Sequence, residues 1–101
     1  MHYVICYDIE SDRLRDRAAK ILEKNGCYRL QKSVFIAPNM AKKDLMRLQV
    51  MLRRAFERRP LQPADSVYIV PLPHEFAAAS ECYGLNNAFT VLLEKRLKIL
   101  L

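Results

Sequence analysis

Tyr3-Val4-Ile5-Cys6-Tyr7-Asp8-Ile9-Glu10 is an almost unbroken apolar run, rich in β-branched and aromatic residues, that ends on a carboxylate. That composition predicts a first strand with Asp8 at its exit. A strand with one face in water alternates apolar with polar residues, and this run does not. Neither does Val67-Tyr68-Ile69-Val70-Pro71-Leu72, so both segments predict a sheet covered on both faces.

Working outward, Ser11 is a good N-cap for a helix over residues 12–25, and Gly26 supplies the residue that takes positive φ just past its end. Leu14, Ala18, Ile21 and Leu22 form its core stripe, while Arg13, Arg17, Lys20 and Lys24 form a basic stripe on another face. Residues 27–37 are β-like but long for one strand, so a break near Gln31 to Ser33 would give two, although no Gly, Asn or Pro marks a turn there. A second helix is predicted from Met40 or Ala41 to Arg58, with Asn39 as candidate cap and Leu45, Leu48, Leu52, Ala55 and Phe56 on its core side. Its basic residues are Lys42, Lys43, Arg47, Arg53, Arg54, Arg58 and Arg59. Ser66 to Leu72 is a strand whose Pro71 favours a sheet edge or a strand end. Phe76 to Ser80 predicts a helical turn and Gly84 to Asn87 a loop, and residues 88–101 fit an amphipathic helix better than a strand.

Two helices cover one face of a sheet. The other face must be covered by the C-terminal segment, by a second copy of the chain, or by both. A chain of 101 residues fits a single domain, here a core over 1–73 and an extension over 74–101.

The net charge of +6 is uneven: residues 1–59 hold 14 Lys+Arg against 7 Asp+Glu, and residues 60–101 hold 3 against 4. A basic excess confined to part of a small domain suggests a polyanionic partner, although a solvated helix face reads the same way. Asp8 and Glu10 interrupt the first ten residues, so neither a leader peptide nor a membrane span is predicted, and a cytoplasmic protein is expected. Cys6, Cys27 and Cys82 are odd in number, far apart and not paired with nearby histidines, which predicts buried reduced thiols rather than a disulfide framework or a zinc site.

Tyr7-Asp8-Ile9, then Arg13 to Arg17, Gly26, Arg29, Gln31, Ser33-Val34-Phe35, Asp65-Ser66-Val67 and Pro71-Leu72 follow one another in an order and spacing that resembles the small CRISPR-associated proteins of the Cas2 family. The resemblance covers residues 3–72. It implies an α+β, ferredoxin-like βαββαβ sandwich that dimerises through its sheets, and a role in acquiring CRISPR spacers. It also implies that the dimer sits between dimers of the CRISPR integrase and holds double-stranded DNA along basic surfaces. The DNA-contacting residues would be Arg13, Arg15, Arg17, Lys20, Lys24, Lys42, Lys43, Arg47, Arg53 and Arg54. The tail after Pro73 departs from shorter family endings, and Ala37 stands where many members have an acidic, metal-proximal residue.

Some members of that family are described as metal-dependent nucleases, in which this aspartate from each subunit flanks a divalent ion. The resemblance then makes Asp8 the catalytic residue and the ligand of Mg²⁺ or Mn²⁺, acting on RNA or duplex DNA, with hard oxygen ligation suited to both ions. Ser33 would orient a phosphate or a metal-bound water, and Arg17 or Arg29 would steady a transition-state oxyanion. The blander alternative has Asp8 capping the turn after the strand, with Glu10 and Asp12 complementing the positive end of the first helix. A third reading is a toxin-type ribonuclease of the virulence-associated D type, which shares the fold.

Overall fold

The computed structural model describes residues 1–84, in the order β1 (His2–Asp8), α1 (Asp12–Lys24), β2 (Tyr28–Gln31), β3 (Val34–Ala37), α2 (Lys42–Arg58), β4 (Ser66–Leu72) and α3 (His74–Ala79). Residues 88–101, read above as a helix, lie outside the described residues. The four strands form one antiparallel sheet in the order β2-β3-β1-β4. This is the α+β sandwich expected, with α1 and α2 on one face.

The 27–37 segment does divide. Lys32 and Ser33 make a tight turn, and the β2–β3 pairing shifts register between Arg29 and Gln31. A bulge beside the turn lets the hairpin close without the glycine or asparagine that usually marks one.

Alternation along β1 sorts the two faces. Ile5 and Tyr7 enter the helix-side core with Leu14, Ala18, Ile21, Leu22, Phe35, Leu48, Leu52 and Ala55. Their neighbours Val4, Cys6 and Asp8 therefore point away from the helices. Register puts Val4 beside Val70 and Ile36, Cys6 beside Tyr68 and Val34, and Asp8 beside Ser66, so this outer face is apolar until its last rung. The short α3 covers one part of it, where Ala77 is buried against Ile36 with Tyr28, Leu30 and Leu72 packed around. Among the described residues Tyr68 and Val70 on edge strand β4 stay 60% and 47% exposed.

Both ends of α1 follow the sequence. Ser11 Oγ accepts the N–H of Leu14 at 3.3 Å, and Gly26 has φ of 82°. Asn39 does not cap α2, which begins at Lys42 with Ala41 in the N-cap position and no side-chain cap. Asn39 instead takes a left-handed conformation, φ 55°, which asparagine tolerates, and its N–H is used by His2 Nδ1. The cysteines also differ from expectation. Only Cys27 is buried; Cys6 is half-buried on the outer face and Cys82 is exposed, all as free thiols.

Candidate functional site

Asp8 ends β1 with its side chain on the outer face and is exposed. Among the described residues its carboxylate has no hydrogen bond or ion pair, so it caps nothing. The loop after it is held by other groups. Asp65 accepts the N–H of Glu10 on Oδ1 at 3.0 Å and that of Gln62 on Oδ2 at 2.8 Å. Arg15 donates to the Ile9 carbonyl at 3.0 Å and pairs with Asp12. A carboxylate buried among partners is a structural part, whereas one left free at a strand end is available to a ligand.

The residues expected to assist Asp8 separate in space. Ser33 is brought near: its carbonyl accepts the N–H of Tyr7 at 3.1 Å, placing the β2–β3 turn beside the end of β1. Arg29 lies on the helix-facing side of β2, its guanidinium 4.8 Å from the Phe35 ring centroid, 3.6 Å from Glu23 and hydrogen-bonded to the Lys32 carbonyl. Arg17 is on the outer side of the helix layer, with the sheet between it and the face that carries Asp8. Ala37 pairs with Tyr3, five residues from Asp8, and is buried on the helix side. A carboxylate at position 37 would therefore sit about 15 Å along the strand from Asp8, not beside it.

A single free carboxylate fits a hard cation that keeps most of its own water, which is how Mg²⁺ usually binds. The described residues contain no group of three or more His, Cys, Asp or Glu side chains able to hold a metal. A tighter site would need Asp8 of a second copy, and without a cation or proton between them the two carboxylates would repel.

The basic residues form several groups rather than one stripe. Arg13 and Arg17 from α1 face Arg54 and Arg58 from α2, and Arg59 just past its end, across a furrow made of two adjoining depressions of about 390 and 250 Å³. The furrow floor is Leu14, Ile21, Met51 and Ala55, and Glu57 is the carboxylate on its wall. None of these five arginines has an ion-pair partner among the described residues. Arg15, Arg29 and Arg47, by contrast, are paired with Asp12, Glu23 and Asp44. Lys24 and Arg47 line a separate hollow near Gly26 and Asn39. Arg53 faces the β4 side with Phe56 and Leu61, and Lys20, Lys42 and Lys43 are exposed. In the sequence Arg58 and Arg59 stand only as part of the second helix's basic set. Their clustering with α1 depends on how the two helices pack, which residue spacing within one helix does not reveal.

Tyr7 is buried in the helix-side core, and burial raises its phenol pKa above the ordinary value of 10.0, with Arg29 and Arg15 pulling the other way. Burial alone pushes the Cys27 thiol up to about 11.

An antiparallel ferredoxin-like sandwich with a solitary carboxylate at the end of its first strand and an arginine-lined helix layer defines a class of small α+β proteins. The family model described as CRISPR associated protein Cas2 matches residues 1–76, and the chain belongs to that family. It is 35% identical over 69 residues, 68% of this chain and 69% of the relative, to a Korarchaeum cryptofilum protein named CRISPR-associated endoribonuclease Cas2. It is 30% identical over 87 residues, 86% and 88% of the two chains, to a Synechocystis protein named CRISPR-associated endoribonuclease Cas2 2. Streptococcus pyogenes Cas2, crystallised at pH 6.5, shares the fold with a TM-score of 0.66 at 19% identity, over 83% of this chain and all of that one. A Thermus thermophilus protein, TT1823, described as hypothetical, gives a TM-score of 0.63 at 29% identity over 83% and 90% of the two chains.

Proposed function

We propose that the chain acts in CRISPR spacer acquisition as a homodimeric scaffold that holds double-stranded DNA through phosphate contacts and bridges dimers of the CRISPR integrase. The observation that carries this reading is the furrow of five unpaired arginines on the helix layer, with the sheet separating it from Asp8. Arginines without carboxylate partners keep their full charge for an anion, and phosphate contacts of this kind position a duplex without reading its sequence. The second copy packs against the exposed part of the outer sheet face, around Val4, Cys6, Tyr68 and Val70. In this reading residues 1–73 form the core and residues 74–101 an extension that serves dimer or partner docking.

Fluorescence anisotropy of a labelled duplex across a salt series tests the reading. The expected result is an affinity that falls linearly in log–log form with salt, independent of sequence and unchanged by Asp8→Asn. Salt-independent or absent binding would overturn it.

A second reading, a metal-dependent endonuclease acting on RNA or duplex DNA, is favoured by the free carboxylate of Asp8 and by the names of the relatives. In it, Asp8 from each copy would hold Mg²⁺ or Mn²⁺, and such an ion would supply an activated water and charge neutralisation. Ser33 is near enough to contribute, whereas Arg17 and Arg29 face elsewhere, which leaves the chain short of an oxyanion stabiliser. Cleavage that requires the metal and is lost in Asp8→Asn would favour this reading.

A further inference from the structure

Two histidines with no part in that reading meet at the opposite end of β1 from Asp8. His2 opens β1 and is only 1% exposed. Its Nδ1 accepts the backbone N–H of Asn39, from the β3–α2 connection, at 2.9 Å. Its Nε2 lies 3.1 Å from Nδ1 of His74, the first residue of α3. The ring planes are inclined by 51°, so the contact is a hydrogen bond between ring edges rather than a stack.

These contacts assign both tautomers. A backbone N–H only donates, so His2 Nδ1 carries the lone pair and its ring proton is on Nε2. That proton is donated to His74 Nδ1, and the His74 proton is then on Nε2, an atom buried without a partner among the described residues. His2 is thereby a neutral imidazole. An incoming proton finds two lone pairs, each already in use. Added to His2 Nδ1 it meets the Asn39 N–H, and added to His74 Nδ1 it meets the His2 N–H. Either addition turns a part-buried hydrogen bond into a donor–donor contact, a loss that leaves both groups unsatisfied.

The surroundings offer no compensation. Burial foremost, and then the charges of His74 and the N-terminal amine, hold the His2 pKa below the ordinary 6.5. Asn39 and Leu72, its neighbours from the β3–α2 connection and from β4, are uncharged. Glu75, the acidic residue in the first turn of α3, is exposed.

Among the described residues the pair adds a polar tie to an element otherwise held by the small cluster around Ala77 and Ile36. α3 has six residues and one buried side chain, Ala77, and a helix that short does not persist unaided. We infer that His2 and His74 form a proton-sensitive clasp: neutral, it holds α3 against the outer sheet face, and protonated, it releases α3 and uncovers the apolar surface around Ile36. The inference depends on neither nucleic acid nor dimer formation.

Backbone hydrogen exchange of Ala77 and Ser80, corrected for intrinsic rates, tests it on the full chain. As pH falls below the ordinary histidine value of 6.5 the opening equilibrium of α3 is expected to rise by up to about tenfold per unit, because the released His2 takes up a proton that the closed clasp resists, while α1 amides stay protected. His74→Gln should remove that pH dependence. Ring ¹⁵N shifts of the unaltered protein should place the proton on Nε2 of both histidines near neutral pH. Flat α3 exchange in the unaltered protein, the same pH response in His74→Gln, or a proton on His2 Nδ1 would each overturn the clasp. The ring shifts and the wild-type profile need no variant, so a poorly folding His74→Gln leaves the test intact.

Discussion

Asp65 Oδ1 accepts the backbone N–H of Glu10 at 3.0 Å across 55 residues of sequence, while its Oδ2 takes the N–H of Gln62. One carboxylate thus ties the exit of β1 to the turn that precedes β4. Asp8, two residues before Glu10, is left with no such duty.

This division of labour predicts opposite stability effects for two aspartates. Asp65→Ala strands two backbone donors and should cost about 1–3 kcal/mol in urea unfolding, discounted toward the low end because the site is partly exposed. Asp8→Asn removes no contact and should change stability by less than about 0.5 kcal/mol. Equal losses in the two variants would contradict the assignment.

The arginines should likewise fall into two groups. Replacing Arg17 and Arg58 together by alanine should make the slope of log affinity against log salt for duplex binding shallower by about 1–2, one phosphate contact per side chain, with little change in stability. Arg15→Ala should leave that slope unchanged and lower stability by about 1 kcal/mol, because Arg15 holds the Ile9 carbonyl and Asp12. A salt titration paired with urea unfolding of each variant separates the two outcomes.

Alkaline conditions should destabilise the fold before they cleave or modify it. The Cys27 thiol is held up to about 11 in the folded chain against 9.0 when free. The unfolded chain therefore loses this proton first, so stability is intact below pH 9 and declines between there and 11, by an amount on the order of 2–3 kcal/mol. Tyr7, raised by burial, adds in the same direction above its ordinary value of 10.0. Thermal unfolding across that range checks the sign, and alkylation should label exposed Cys82 well before buried Cys27.

The exposed part of the outer sheet face should be where two copies meet. Val70→Glu places a charge beside Val4 on the edge strand and should shift light-scattering mass from dimer to monomer, with secondary structure retained. A monomeric mass for the unaltered chain at micromolar concentration would remove the basis for dimerisation through this face.

Most of the fold was legible because local patterns carried it. Ser11, the Leu14 to Leu22 stripe and Gly26 mark both ends of α1, and each does so through contacts within a few residues. Asn39 misled for a related reason: asparagine suits a helix cap and a left-handed turn equally well, and only the distant ring of His2, which takes its N–H, decides between them. Arg17 and Arg29 were expected at Asp8 because all three stand in one ordered motif. Motif order records the chain, however, and the sheet places Arg17 and Arg29 on the side of it opposite to Asp8.

By itself, then, the sequence determined the two helices and the first and last core strands, the doubly apolar character of β1 and β4, the carboxylate at the strand end and the basic bias of the helices, since strand and helix periods dictate which residues share a face. Tertiary structure alone decided that Arg58 and Arg59 join Arg13 and Arg17 in one furrow, that Asp65 rather than Asp8 secures the loop, and that His2 meets His74. Each of these is a contact between residues tens of positions apart, set by how the helices lie on the sheet, and no local period encodes that distance.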